Sequence, residues 1–167
     1  MSERDATVRM ATAADAESMV AIYNYYVEET VVTFEEQRVS ASDMAQRMAD
    51  VLSASLPWLV AERAGRVLGY AYASKWRARS AYRFSSEITV YVEREQIGRG
   101  LGSQLYDALF PRLAECGLHA IMGGIALPNP ASIALHEKFG LKKVAHFSEV
   151  GLKFGRWIDV GYWQRTL

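Results

Sequence analysis

Between Glu87 and Tyr106 the chain passes from a β-branched and aromatic run into a cluster of glycines, and out again into a helical repeat. Ile88 to Val92 reads as a buried strand. Leu101, Leu105, Ala108 and Leu109 fall on one side of a helix. Gly98-Arg99-Gly100-Leu101-Gly102-Ser103 lies between them. A strand, a glycine-rich turn and a helix N-terminus bring unpaired N–H groups and the positive end of a helix dipole to one spot, which suits a phosphate. Glycine lets the main chain approach that phosphate without a Cβ in the way.

The two common nucleotide signatures do not fit. A P-loop needs Gly-Lys-Ser/Thr, and no such triplet is present. The dinucleotide fingerprint started at Gly98 needs glycine where Ser103 stands; started at Gly100, it needs glycine where Leu105 stands. A tight β–α turn without a ligand remains open on the residues alone.

Around this centre the pattern is mixed α/β in the order βα αββ βα βα ββ, and residues 1–167 are expected to form one domain. Thr7 to Met10 reads as a first strand. Thr12 caps a helix whose apolar face is Ala16, Met19, Val20, Tyr23 and Val27. Thr30 to Phe34 reads as a loop. A second helix starts at Ser40 or Ser42 and carries Met44, Met48, Val51 and Leu52. Trp58–Glu62 and Val67–Ser74 form a hairpin through Arg63-Ala64-Gly65-Arg66. After a basic, aromatic connection from Trp76 to Arg83 come the central strand, the glycine turn and a third helix, which Pro111 should kink or split. His119 to Ile125 is the next strand. Asn129 and Pro130 are an N-cap and first-turn pair for a helix running to Phe139. Leu141–Val150 and Trp157–Thr166 close the chain around a connection at 151–156.

Bulk properties narrow the partners. Nineteen basic and nineteen acidic residues leave a formal charge of zero, so net charge selects neither nucleic acid nor a membrane. The single cysteine, Cys116, excludes an intramolecular disulfide. With no signal-peptide pattern or long apolar run, a cytoplasmic protein is expected. Three scattered histidines and one cysteine do not make a metal site.

The glycine segment resembles the pyrophosphate-binding motif of GNAT-type N-acetyltransferases, Arg/Gln-x-x-Gly-x-Gly/Ala, in the frame Ile97-Gly98-Arg99-Gly100-Leu101-Gly102. Ile97 departs from the Arg/Gln position, and Gln96 lies one residue earlier. The element order resembles the GNAT fold across nearly the whole chain, which implies a mixed sheet of about seven strands with four helices. Four blocks resemble the phosphinothricin and methionine sulfoximine/sulfone acetyltransferases more closely. They are Ala21-Ile22-Tyr23-Asn24; Tyr82-Arg83 with Ser86-Glu87-Ile88-Thr89-Val90-Tyr91-Val92; Pro128-Asn129-Pro130-Ala131-Ser132 leading to His136-Glu137; and Lys153-Phe154-Gly155-Arg156-Trp157-Ile158-Asp159-Val160.

That resemblance implies acetyl-CoA as co-substrate, a small amino acid or analogue as acceptor, and a homodimer. It implies Glu87 as base, where the residue alone reads as a solvated strand-end carboxylate. Val90, Tyr91 and Val92 would face the thioester arm, Gly98 to Ser103 the pyrophosphate, and Asn129 the CoA arm or only the helix it caps. His136 stands at the position of an acid; otherwise it is a packed helix-surface histidine. His119 and His146 read as structural. Arg77, Arg79 and Arg83 offer forked donors to a carboxylate or oxyacid, with solvent as the alternative. Arg77 after Trp76 fits the substrate segment best, and Thr89 lies beside Glu87 on that segment's neighbouring strand. Phe34, Tyr25 and Tyr82 line the pocket or belong to the core. Acceptance of another amine (an aminoglycoside, a polyamine or a protein N-terminus) and a non-catalytic acyl-CoA sensor are the competing readings.

Overall fold

A computed structural model describes residues 6–167. Seven strands form one sheet: β1 (Thr7–Met10), β2 (Trp58–Arg63), β3 (Arg66–Lys75), β4 (Ser85–Val92), β5 (Ala120–Ala126), β6 (Lys142–Lys153) and β7 (Arg156–Thr166), in spatial order β1-β2-β3-β4-β5-β7-β6. Every neighbouring pair is antiparallel except β4 and β5. A parallel pair needs a crossover, and α3 (Leu101–Glu115) provides it. The other helices are α1 (Ala16–Glu29), α2 (Ala41–Ser53) and α4 (Pro130–Lys138).

Strand alternation divides the core in two. Ala71, Ala73, Ile88 and Val90 face α3, where Leu101, Leu105, Leu109 and Leu113 complete an aliphatic cluster. Tyr70, Tyr72 and Tyr91 face α1 and α2, where Met19, Tyr23, Tyr26, Met44 and Trp58 complete an aromatic one. Trp58 stacks on Tyr72 at 3.9 Å between ring centroids. Leu105 and Leu109 are fully buried, so truncating either to Ala would remove about 2–5 kcal/mol.

The local signals explain the boundaries. Asp43 N–H donates to the Ser40 hydroxyl at 3.1 Å, so Ser40 rather than Ser42 caps α2. The turn after β2 places Ala64 and Gly65 at φ of +49° and +77°, the left-handed pair that matches hairpin twist.

Two expectations are corrected. Pro111 does not split α3, which is continuous to Glu115. The carbonyl that loses its donor belongs to Asp107, and both residues are exposed, so the missing bond falls on the solvent side of the helix, where it costs least. The connection near the C-terminus is also shorter than 151–156. β6 runs to Lys153 and β7 begins at Arg156, so Phe154 and Gly155 alone make the turn. Both have positive φ there, whereas Gly151 is a strand residue opposite Ile158.

Candidate active site

β4 and β5 pair only through Ser85–Glu87 and Ala120–Met122. Beyond Glu87 the two strands part. The side each β4 residue turns its main chain toward follows from its partners. Phe84 O accepts from His119 N–H on the β5 side, and Glu93 N–H donates to Leu68 O on the β3 side. By alternation Val90 and Val92 turn their main-chain groups to the gap. The Val92 carbonyl is met there by the Tyr26 hydroxyl at 2.6 Å.

Three cavities run along this gap and share walls. One, of about 400 Å³, is lined by Val90, Tyr91, Val92, Gly98, Gly100, Leu101, Gly102, Ser103 and Asn129, joined by Tyr26, Gln96, Ile97, Ser132, Leu135 and Lys138. Gly100 caps α3 at φ +83°, a conformation that glycine adopts without a Cβ penalty. The first main-chain bond of α3 runs from Gln104 N–H to Gly100 O at 3.1 Å. The N–H groups of Leu101, Gly102 and Ser103 therefore precede the helical ladder and are available to an anion. Lys138, from the last turn of α4, reaches Ser103 Oγ at 2.9 Å and adds a cation beside them. This turn fits a pyrophosphate. Arg99 is exposed and is not part of the wall, which passes from Gly98 to Gly100.

The middle cavity, of about 300 Å³, contains Glu87, Thr89, Val90, Tyr91, Tyr106, Gly124, Asn129, Ser132, His136, Phe34 and Tyr162 among its walls. Glu87 stands at the fork of the sheet. Burial raises its carboxyl pKa, and a hydrogen bond from the Gly124 main chain opposes that rise. A Cβ on Gly124 would lie 2.9 Å from Glu87 Oε1 and 3.0 Å from Tyr162 Cζ. Its neighbour Gly123 clears the opposite face: a Cβ there would lie 2.5 Å from both Cδ2 and Nε2 of His136.

His136 is buried, and burial lowers its pKa. Its Nδ1 lies 2.7 Å from the Ser132 carbonyl, which only accepts, so Nδ1 carries the proton. Nε2 then accepts from the Tyr106 hydroxyl at 3.2 Å. A neutral imidazole with both nitrogens engaged has no proton free to donate. Asn129 serves as a cap, with Oδ1 accepting from Ser132 N–H at 3.1 Å, while lining both the middle cavity and the groove.

The third cavity, of about 600 Å³, is lined by Phe34, Trp76, Arg77, Tyr82, Met122, Phe147, Val160 and Tyr162, among others. Its wall is mostly apolar and includes five aromatic residues, Phe34, Trp76, Tyr82, Phe147 and Tyr162. The Arg77 guanidinium lies 5.2 Å from the Trp76 ring centroid, and Trp76 meets Tyr162 edge-on at 5.4 Å. Arg79 and Arg83 are not among its walls; Arg83 lies over Phe84 instead. Tyr25 belongs to the aromatic cluster under α1. His119 is exposed, and His146 pairs with Asp159 at 2.7 Å, away from the three cavities.

Sequence reasoning missed Tyr162, Tyr106, Lys138 and the Gly123-Gly124 pair. Only the last had a local signal, since two glycines inside a strand mark a close approach.

Fold and site together define an acetyltransferase. The chain belongs to the GNAT acetyltransferase family, whose description "Acetyltransferase (GNAT) domain" matches residues 8–161. A phosphinothricin N-acetyltransferase of Alcaligenes faecalis is 41% identical, over 96% of this chain and 82% of that protein. An L-methionine sulfoximine/L-methionine sulfone acetyltransferase of Pseudomonas aeruginosa is 40% identical, over 97% of this chain and 95% of that protein. The crystal structure of a phosphinothricin acetyltransferase from Sinorhizobium meliloti, in complex with acetyl-CoA, superposes with a TM-score of 0.94 at 38% identity, covering 98% of this chain and 89% of that one.

Proposed function

We propose that this protein moves acetyl from acetyl-CoA to the α-amine of a small amino acid or analogue such as phosphinothricin, methionine sulfoximine or methionine sulfone. The observation that carries this is the place of Glu87, at the fork of the sheet between a phosphate-suited groove and an aromatic pocket with an arginine in its wall. Acetyl-CoA supplies a thioester carbonyl. The acceptor enters as an ammonium ion and must lose a proton to attack. Glu87, directly or through a water, takes that proton, and its raised pKa suits it to the task. As the N–C bond forms, charge gathers on the carbonyl oxygen, and the Val90 and Val92 N–H groups turned to the gap are the donors in place. As the C–S bond breaks, the second proton lost by the attacking nitrogen passes through water to the thiolate, so that CoA leaves as the thiol while Glu87 keeps the first proton until solvent removes it.

Pyrophosphate binding falls to Gly98, Gly100, Gly102 and the N–H groups of Leu101 and Ser103, with Lys138 as counter-charge. Asn129 Nδ2 is free to meet the CoA arm, because only Oδ1 is used by the cap. His136 holds the Tyr106 hydroxyl in place and is not itself the acid. Arg77 clamps the carboxylate or oxyacid group of the acceptor, with Phe34, Trp76, Tyr82 and Thr89 shaping the surrounding wall.

Among the described residues no helix is long and apolar enough to cross a membrane, and the zero net charge offers nucleic acid no attraction. We place the enzyme in the cytoplasm, as a homodimer. The exposed Phe147, Val150, Leu152, Phe154 and Trp157 of the β6–β7 hairpin support self-association.

The deciding assay is thiol release from acetyl-CoA across amino acids, sulfoximines, polyamines, aminoglycosides and peptides with free N-termini. Turnover confined to the polyamines, aminoglycosides or peptides would sink the amino-acid reading, and no turnover with any amine would leave an acyl-CoA sensor. Arg77→Ala should raise the KM for the amino acid about tenfold or more while the KM for acetyl-CoA stays unchanged. A defect only in acetyl-CoA binding would move Arg77 to the donor side.

A further inference from the structure

The block Lys153-Phe154-Gly155-Arg156-Trp157 takes no part in donor binding or proton transfer as derived above. Lys153 is nevertheless 1% exposed, and lysine is almost never buried without a partner. Its Nζ donates to the Thr33 carbonyl at 2.8 Å and reaches the Tyr26 carbonyl at 3.5 Å. Burial lowers its pKa, and the Glu36 and Glu35 carboxylates oppose that. The ammonium therefore ends on the loop that joins α1 to α2, and that loop carries Phe34.

Gly151 lies two residues before Lys153, on the same buried face of β6. A Cβ at Gly151 would stand 2.3 Å from Phe34 Cε2. β6 thus grips the loop twice, by a charge at Lys153 and by a missing side chain at Gly151. Thr33 is further tied by its hydroxyl to the Tyr23 hydroxyl at 2.7 Å. Phe34 is a wall of both the middle cavity and the aromatic pocket, and it is 39% exposed, so its ring has room to move if released.

We propose that Lys153 is a positioning residue for acceptor selection, fastening the α1–α2 loop so that Phe34 stands as the wall between the reaction centre and the acceptor pocket and limits the side chain admitted. This rests on the assignment of that pocket to the acceptor.

Lys153→Met keeps the length of the side chain and removes its donors. The ratio of kcat/KM for a bulky acceptor (methionine sulfone) to that for a small one (alanine) should shift about tenfold or more toward the bulky one, with the KM for acetyl-CoA unchanged. Amide exchange over residues 30–36 should quicken about 10- to 100-fold, the scale of one charge-assisted hydrogen bond. Phe34→Ala should reproduce the change in selectivity, and the double variant should add nothing further. An unchanged ratio in folded Lys153→Met, or independent effects in the double variant, overturns the proposal. If Lys153→Met does not fold, Gly151→Ala decides, because it pushes on Phe34 and leaves Lys153 in place; unaltered selectivity there overturns it too. Should the wild type acetylate none of these amines, the acceptor assignment fails, and exchange over residues 30–36 still judges the clamp.

Discussion

β4 and β5 lie side by side and serve the site in opposite ways. β4 brings atoms: the Glu87 carboxylate, the Thr89 side chain and the main-chain groups of Val90 and Val92. β5 brings room. Gly124 leaves space for Glu87 and Tyr162 on one face, and Gly123 leaves space for His136 on the other. A catalytic group held at a fixed point needs both a strand to carry it and a neighbour that does not fill its place.

The largest effect is expected on the β4 side. Glu87→Gln preserves shape and removes the proton acceptor, so kcat should fall about 10²–10⁴-fold while acetyl-CoA still binds in a calorimetric titration. The wild-type rate should rise with pH along a limb lying above the ordinary carboxylate range, because burial raises the Glu87 pKa. If that limb instead follows the pKa of each acceptor amine and the variant keeps near-full kcat, Glu87 is not the base.

The next effect tests the β5 side. Gly124→Ala should lower kcat by about 10²-fold, since a small displacement of a reacting group has large kinetic consequences. Gly123→Ala presses instead on the buried His136 ring. It should lower stability by about 1–3 kcal/mol in urea unfolding, with the smaller loss in kcat of the two. Equal kinetic damage from both would mean that the two faces of β5 are not distinct in function.

The smallest effect is thermal. A carboxyl whose pKa is raised on folding contributes stability at low pH and loses it as pH rises through the folded value. Ionisation of Glu87 therefore strains the fold, and Glu87→Gln should melt slightly higher than the wild type at pH 7, the gap closing toward pH 4. A variant that melts lower at pH 7 would mean that the Gly124 hydrogen bond outweighs burial.

The same contrast explains what could be read from the residues alone. Elements announced by chemistry were legible: the strand from Ile88 to Val92, the glycine turn, the Asn129 cap, a serine cap for α2 at Ser40 or Ser42, and Glu87 and Arg77 as charged groups in otherwise apolar or aromatic company. What escaped was anything defined by a distant neighbour. Gly151 and Gly155 look alike as letters; Gly155 turns the chain, whereas Gly151 makes way for Phe34, more than a hundred positions earlier. Tyr162 and Tyr106 sit on regular elements with no motif around them, and only the folded sheet brings them to the fork. Pro111 looked like a break because its exposure, and that of Asp107, is not visible in the local pattern.

The groove proposed for the donor takes its phosphate-facing edge from main-chain N–H groups at the start of α3, while the pocket proposed for the acceptor has Phe34, Trp76, Arg77 and Tyr162 in its wall. Mutation rewrites side chains far more readily than it rewrites the course of a backbone. A gene for this protein is thus free to explore new amines one codon at a time while its hold on the acetyl donor is inherited intact.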